Sequence, residues 1–219
     1  MLDHAFGRLP FAPDSRDYPL ATLVAALPRA AAVSRKWPDN EVVWDQGKTG
    51  HCVGMGCGQW GNTLPVDDRW KVTDGHALYY ESVRIGGVPN SEDGAQVRWG
   101  LKALAKRDRV VSYHLAASYA EALAWVRSAA GGPCVIGINW MSGFDSPTAS
   151  GLVHATGSVR GGHCLLMYGA TASYAYLLNS WGPSWGCQGR CHASHADMAY
   201  IIDRGGGEAW VAVEKPLGG

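Results

Sequence analysis

The chain has 219 residues, 47% of them apolar, enough for one sizeable domain or two small lobes around a shared cleft. Its 19 Lys and Arg balance its 19 Asp and Glu, and the densest basic stretch, Lys102 to Arg109, is interrupted by apolar residues and Asp108. A solvated helix face accounts for that stretch, so nucleic acid and anionic membrane are poor partners.

The start, Met1-Leu2-Asp3-His4-Ala5, lacks the basic and apolar segments of a secretory signal. The most apolar early stretch, Leu20 to Val33, contains Pro28 and Arg29 and is shorter than the ~20 residues a membrane helix needs. The expectation is a cytoplasmic protein, or part of a larger particle, with no membrane contact. The cysteines at 52, 57, 134, 164, 187 and 191 are then expected to be mostly free thiols.

Residues 1–40 are Pro-rich with little periodicity and suggest an extended strap laid over the surface, with one short helix over Ala21 to Ala32. Trp37-Pro38-Asp39-Asn40 signals a turn before Val42-Val43-Trp44. A glycine-rich turn, Asp45 to Gly50, leads into Cys52, after which Val53, Cys57, Trp60 and Leu64 recur at helical spacing. Gly54, Gly56, Gly58 and Gly61 each cost about 1 kcal/mol against alanine there, so tertiary packing must hold the helix. Three of them satisfy G-x-G-x-x-G, but no clear strand precedes them, and a dinucleotide site is not expected.

Further helices are expected from about Ala77 to Arg84, from Ala95 to Lys106, and from a Ser118/Glu121 capping box through Val126. The character then changes. Cys134 to Trp140 has the composition of a strand, followed by β-like segments at Leu152 to His154, His163 to Tyr168, Tyr174 to Leu178 and Ala209 to Val213. The expected class is α+β: a mainly helical lobe over 41–132, an antiparallel β-rich lobe over 133–219, and a cleft between them.

Cys52 stands where the turn gives way to the helix, so free N–H groups and the positive dipole end point towards its sulfur and favour the thiolate. A histidine, His163, and an asparagine, Asn179, follow in the order a thiol nucleophile needs. His163 is the expected imidazolium partner and proton donor, and Asn179 the group orienting its ring, completing a catalytic triad. Gln46, six residues before the cysteine, is expected to aim its amide N–H at the oxyanion together with the backbone N–H of Cys52. Taken singly, each of these residues would be structural; together they specify a site.

Gln46-x5-Cys52, Gly162-His163 and Asn179-Ser180-Trp181-Gly182-Pro183-Ser184-Trp185-Gly186 together resemble the papain-like cysteine peptidases. Arg16-Asp17-Tyr18 is similar to prokaryotic members. The resemblance implies a two-lobe fold, a peptide or protein substrate, acyl transfer to Cys52 and hydrolysis of the thioester. It also implies that Gly50, His51, Gly94, Gly162, Trp181 and Trp185 line the substrate cleft. Trp181 would shield the Asn179–His163 hydrogen bond, Trp185 would face the leaving group, and Gly94 would offer backbone pairing. No cofactor is implied. Thr49 stands where the family commonly has a half-cystine, so that disulfide cannot form, and His51 and Val53 alter the cleft wall. With 51 residues before Cys52, a long inhibitory pro-segment is not expected, though a short plug fits.

A cell-wall peptide amidase or endopeptidase is the alternative among enzymes. A non-catalytic structural component retaining the fold is the alternative outside them. Cys187, Cys191, His192 and His195 have the ligand chemistry of zinc, but adjacent ligands crowd an ion, and free thiols or a local disulfide are the expected outcome.

Overall fold

The computed structural model describes residues 5–26, 33–39 and 42–215. The start of the chain, the second half of the expected 21–32 helix and Asn40 of the expected turn lie outside the described residues. The elements run in the order β1 (Tyr18–Pro19), α1 (Ala21–Ala26), β2 (Arg35–Lys36), α2 (Cys52–Gly61), α3 (Val72–Ile85), α4 (Val97–Lys106) and β3 (Val110–Leu115). There follow α5 (Tyr119–Arg127), β4 (Cys134–Met141), β5 (Leu152–Val153), β6 (Val159–Ala170), β7 (Tyr174–Leu178), β8 (Arg190–Ser194), α6 (His195–Asp203) and β9 (Glu208–Glu214).

Among the described residues the strands form one sheet in the order β1-β3-β9-β4-β6-β7-β8-β5, with β2 added to β6. The pairing is antiparallel except for β1–β3 and β5–β8. At its centre β4 and β6 place Ile138 opposite His163 and Gly137 opposite Cys164. Successive side chains alternate faces, and both faces are covered. Ile136, Ile138, Leu165 and Met167 join the core beneath α5 and α6, whereas Val135, Cys164, Leu166 and Tyr168 join the one beneath α2, α3 and α4. Full burial of each large apolar side chain contributes about 1.5–3 kcal/mol.

Helix α2 is buried along its whole length. A Cβ on Gly54 would sit 2.2 Å from the carbonyl oxygen of Gly75, and one on Gly58 would sit 2.5 Å from the Trp44 ring. Its glycines therefore serve close packing against α3 and Trp44, which offsets their poor helix propensity. At α5 the Ser118 hydroxyl accepts from the Glu121 N–H at 3.4 Å, but the Glu121 carboxylate reaches Ala117 N rather than completing the box on Ser118.

Two expectations about organisation change. β3 and α5, both before residue 132, pack with the β-rich half: β3 pairs β9, and α5 lies on β6 and α6. The strap does not simply lie over the surface, because residues 5–9 enter the cleft. It is tied down by Leu20, fully buried, by β1, and by Asp17, whose carboxylate takes the Arg98 guanidinium (Nε to Oδ1, 2.7 Å). Both side chains are buried, and breaking a buried pair from one side typically costs about 3–5 kcal/mol. Asp17→Ala is therefore expected to lower the urea midpoint in proportion, with the slope unchanged; an unaltered midpoint would show that the strap contributes nothing to stability.

Candidate active site

Cys52 is the first residue of α2, so its sulfur lies at the end where backbone N–H groups lack helical partners. The N–H groups of Val53, Cys164 and Gly7 all point at that sulfur. Cys164 follows His163 on β6, so the sheet brings the histidine's backbone up to the start of α2. On the other side of the ring, His163 Nε2 lies 2.7 Å from Asn179 Oδ1, in the loop after β7. The same oxygen accepts the Ser180 N–H at 2.8 Å, which sets the orientation of the amide and makes Nε2 the protonated ring nitrogen. Asn179 is held in turn by Gln59 Nε2, which donates to its carbonyl at 3.0 Å. The Trp181 ring, 4.6 Å from the imidazole, and Trp140, 5.1 Å away and edge-on, enclose this pair and exclude water from it.

Gln46 reaches the same place. Its backbone N–H donates to Ser180 O at 2.8 Å, and its side-chain oxygen accepts from the Ser180 hydroxyl at 2.6 Å. The amide nitrogen is thereby turned towards Thr49 O (2.6 Å) and Ala5 O (3.2 Å).

The cleft is filled by the protein's own N-terminal segment. Gly7 N and Arg8 N donate to Gly162 O at 3.0 and 2.9 Å, Ala95 N donates to Gly7 O at 2.8 Å, and Leu9 N donates to Ala95 O at 2.9 Å. Phe6 packs between Trp181 (5.8 Å), His163 (6.0 Å) and Trp140 (6.2 Å). Arg8 enters a pocket on the opposite side, where Nε lies 3.1 Å from Glu208 Oε1, one terminal nitrogen 3.1 Å from Asn139 Oδ1 and the other 2.9 Å from Gly206 O. The Gly7 N–H is directed at the Cys52 sulfur, so the segment covers the thiol.

This occupancy reverses the electrostatics expected of the nucleophile. Cys52 is fully buried, and burial pushes its thiol up to about 12, against the smaller lowering from the three N–H groups. At pH 7.5 on the order of 1 in 10,000 or less of such a thiol is ionised. A site free of the segment loses that burial and keeps the helix end, so the open form has the lower pKa. Deprotonation is therefore expected to favour displacement of the segment, more so as pH rises through the value of the uncovered thiol.

Of the residues expected to line the cleft, Gly50 and Gly162 lie directly under the segment: a Cβ on Gly7 would sit 1.8 Å from Gly50 O. The Trp181 ring lies against the His163 imidazole, centroids 4.6 Å apart. Gly94 does not provide the backbone pairing; its N–H donates to the Tyr79 hydroxyl at 3.0 Å, and Ala95 pairs instead. His51 is turned away and buried, stacked on Tyr79 at 3.8 Å, with its ring nitrogens 2.7 Å from His76 Nδ1 and 2.8 Å from Glu92 Oε2. It braces the turn from behind. Trp185 is buried 5.6 Å from Trp181 and 5.7 Å from Trp140, as backing for them.

All six cysteines are free. The candidate zinc cluster is dispersed: Cys191 points into the core, Cys187 is exposed, and His195 places its ring nitrogens on the Tyr119 hydroxyl (2.6 Å) and Thr171 O (3.0 Å). Sequence reasoning missed Ala5 to Leu9, Ala95, Ser180 and Glu208. The available signals were slight: a single arginine in an otherwise apolar run, and a single acid after Gly205-Gly206-Gly207.

No family model matches the chain, and no curated protein matches it by sequence. Solved structures do. Xylellain, a cysteine protease from Xylella fastidiosa, is similar over 96% of this chain and 96% of its own, at a TM-score of 0.73 and 18% identity. A digestive procathepsin L2 proteinase from the larval midgut of Tenebrio molitor is similar over 96% of this chain and 78% of its own (TM-score 0.67, 18% identity). The bromelain protease from Ananas comosus, in complex with the E64 inhibitor, is similar over 84% of this chain and all of its own (TM-score 0.61, 10% identity). The fold is that of the papain-like cysteine proteases.

Proposed function

We propose that the chain is a cysteine peptidase held closed by its own N-terminal segment. The observation that carries this reading is the Cys52 sulfur at the start of α2, touched by the N–H next to His163, whose ring is fixed by Asn179 in a dry aromatic box. With the segment displaced, the Cys52 thiol gives its proton to His163 Nδ1, and the thiolate attacks the carbonyl carbon of a peptide bond. The negative oxygen that forms takes hydrogen bonds from Gln46 Nε2 and the Cys52 backbone N–H; in the closed state Ala5 O holds the first of these. His163 returns the proton to the leaving amine as the C–N bond breaks, leaving a thioester on Cys52. Water, deprotonated by the same imidazole, then hydrolyses the thioester and restores the thiol. Asn179 Oδ1 accepts the hydrogen bond from His163 Nε2–H throughout and stabilises the imidazolium.

The test is timed iodoacetamide alkylation with peptide mapping, on the intact chain and on the full-length Arg8→Ala variant. Exposed Cys187 serves as the reference in both. Cys52 is expected to stay unlabelled in the intact chain and to become the fastest-labelled cysteine in the variant, ahead of Cys187. Labelling of Cys187 alone in both would refute an activatable nucleophile and leave a structural component with this fold.

A further inference from the structure

The buried ring of His51 joins the two walls of the slot that holds Gly7. One wall is the turn before α2, where a Cβ on Gly7 would lie 1.8 Å from Gly50 O. The other is the 91–95 loop, where Ala95 N donates to Gly7 O at 2.8 Å and a Cβ on Gly94 would lie 2.3 Å from that same oxygen. Between the walls, His51 Nε2 lies 2.8 Å from Glu92 Oε2, and the other Glu92 oxygen accepts from the Tyr80 hydroxyl at 2.9 Å. The bonds from His51 and Tyr80 hold the Glu92 carboxyl below its ordinary value, so it stays an acceptor and His51 Nε2 carries a proton. His51 Nδ1 then faces His76 Nδ1 of α3 at 2.7 Å, a gap with room for one hydrogen. That hydrogen sits on His76 with both rings neutral, or on His51 with that ring charged beside Glu92, and the bond survives either way. A second added proton sets two N–H groups and two cations face to face, and the rings must part. The other titratable groups packed here are Tyr79, stacked on His51 at 3.8 Å, and Tyr80, edge-on at 5.1 Å, with Asp93 and Cys52 near Tyr79. Among the described residues, Glu92 is the one carboxylate bonded to the pair.

We infer that His51 is a positioning residue: its bond to Glu92 sets the width of the slot that grips extended peptide backbone, and the proton it shares with His76 makes that grip fail in acid. The inference rests on the peptidase reading, in which a substrate enters this slot once the N-terminal segment has left. Burial pushes the His51 imidazole down, and burial together with the His51 charge does the same to His76. The assembled pair therefore holds its second proton more weakly than parted rings do. Assembly is favoured above the ordinary imidazole value of about 6.5 and loses ground as pH falls through it. Backbone binds only to the assembled slot, so its apparent affinity falls with the assembled fraction.

The experiment follows KM and kcat of the full-length Arg8→Ala chain on one peptide between pH 8 and pH 5, with and without His76→Asn. Asparagine sets an amide nitrogen near the place of histidine Nδ1 and still donates to His51, but it takes up no proton. Cys52, His163 and Glu208 titrate in both chains, so the difference between the chains reports the pair. KM is expected to rise about 10-fold more in the chain that keeps His76, with the two kcat profiles parallel. In the intact chain, the His51 and His76 ring signals in an NMR titration are expected to move in two separate steps, the lower below the ordinary imidazole range. Equal KM profiles, or two rings titrating together as ordinary histidines, would overturn the proton-sharing pair and leave the peptidase reading standing. If no peptide is turned over at any pH, the peptidase reading fails. Binding of a capped peptide with the sequence of residues 5–11 to the Arg8→Ala, Cys52→Ala chain then decides the slot. A loss in acid about 10-fold greater with His76 than with asparagine would sustain the inference; an equal loss would overturn it.

Discussion

Replacing Arg8 by alanine in the full chain is expected to raise the rate of Cys52 alkylation at pH 7.5 by about 100-fold or more. The closed state rests on two sets of contacts. The backbone bonds of Gly7, Arg8 and Leu9 with Gly162 and Ala95 survive the substitution. The three guanidinium bonds do not, and Glu208 is left as a buried carboxylate with only Trp210 to answer it. Removing one partner of such a pair costs about 3–5 kcal/mol, and each 1.4 kcal/mol is tenfold in an equilibrium. The closed state alone bears that cost, because an open pocket admits water, so the shift appears in full in the fraction of molecules with Cys52 exposed. The pH profile should move as well. In the intact chain burial holds the Cys52 thiol up, so its alkylation is expected to stay slow near neutral pH. The variant is expected to react with a midpoint below the ~8.5 of an ordinary thiol. An unchanged rate and midpoint would mean that the segment does not govern access.

His163→Ala in the Arg8→Ala background is expected to reduce kcat/KM on any cleaved peptide by about 1,000-fold or more. General acid–base catalysis by a positioned histidine contributes about 100- to 10,000-fold, and here the same ring also stabilises the thiolate. The alkylation midpoint of Cys52 should rise at the same time towards the ordinary thiol value, since only the helix end remains to lower it. Asn179→Ala is expected to cost less than His163→Ala, because Trp181 and Trp140 still confine the ring. A His163→Ala chain with unchanged turnover would remove the imidazole from the mechanism.

Much of the site was legible in order and spacing alone. Cys52 follows a glycine turn and opens a helix, and these are local properties, so the position of this candidate nucleophile needed no tertiary information. His163 and Asn179 were identified by type and order, and the sheet supplies the rest: β6 carries His163 past the start of α2, and the loop after β7 returns Asn179 to the ring. What could not be seen depends on contacts between distant residues. Arg8 and Glu208 are 200 positions apart, and neither has a neighbour that announces the other. His51 sits beside the nucleophile in the chain, yet its side chain is set by a cluster of His76, Tyr79 and Glu92 that local pattern does not reveal. Gly94 and Ala95 differ by one step, and which of them faces the cleft follows from Gly94 donating to Tyr79. Strand β3 was missed because Val110 to Leu115 carries the polar Ser112 and His114 within its apolar run, and its partner β9 lies about 100 residues further on.

The most direct measurement is cleavage of an unfolded protein by the full-length Arg8→Ala chain, followed by mass spectrometry with and without Cys52→Ala. Fragments that accumulate with Cys52 present and vanish in the double variant are the expected result, together with a transient thioester adduct on Cys52 at low pH. Equal fragmentation by both chains, or none by either once Cys52 is shown to be exposed, would contradict a cysteine peptidase.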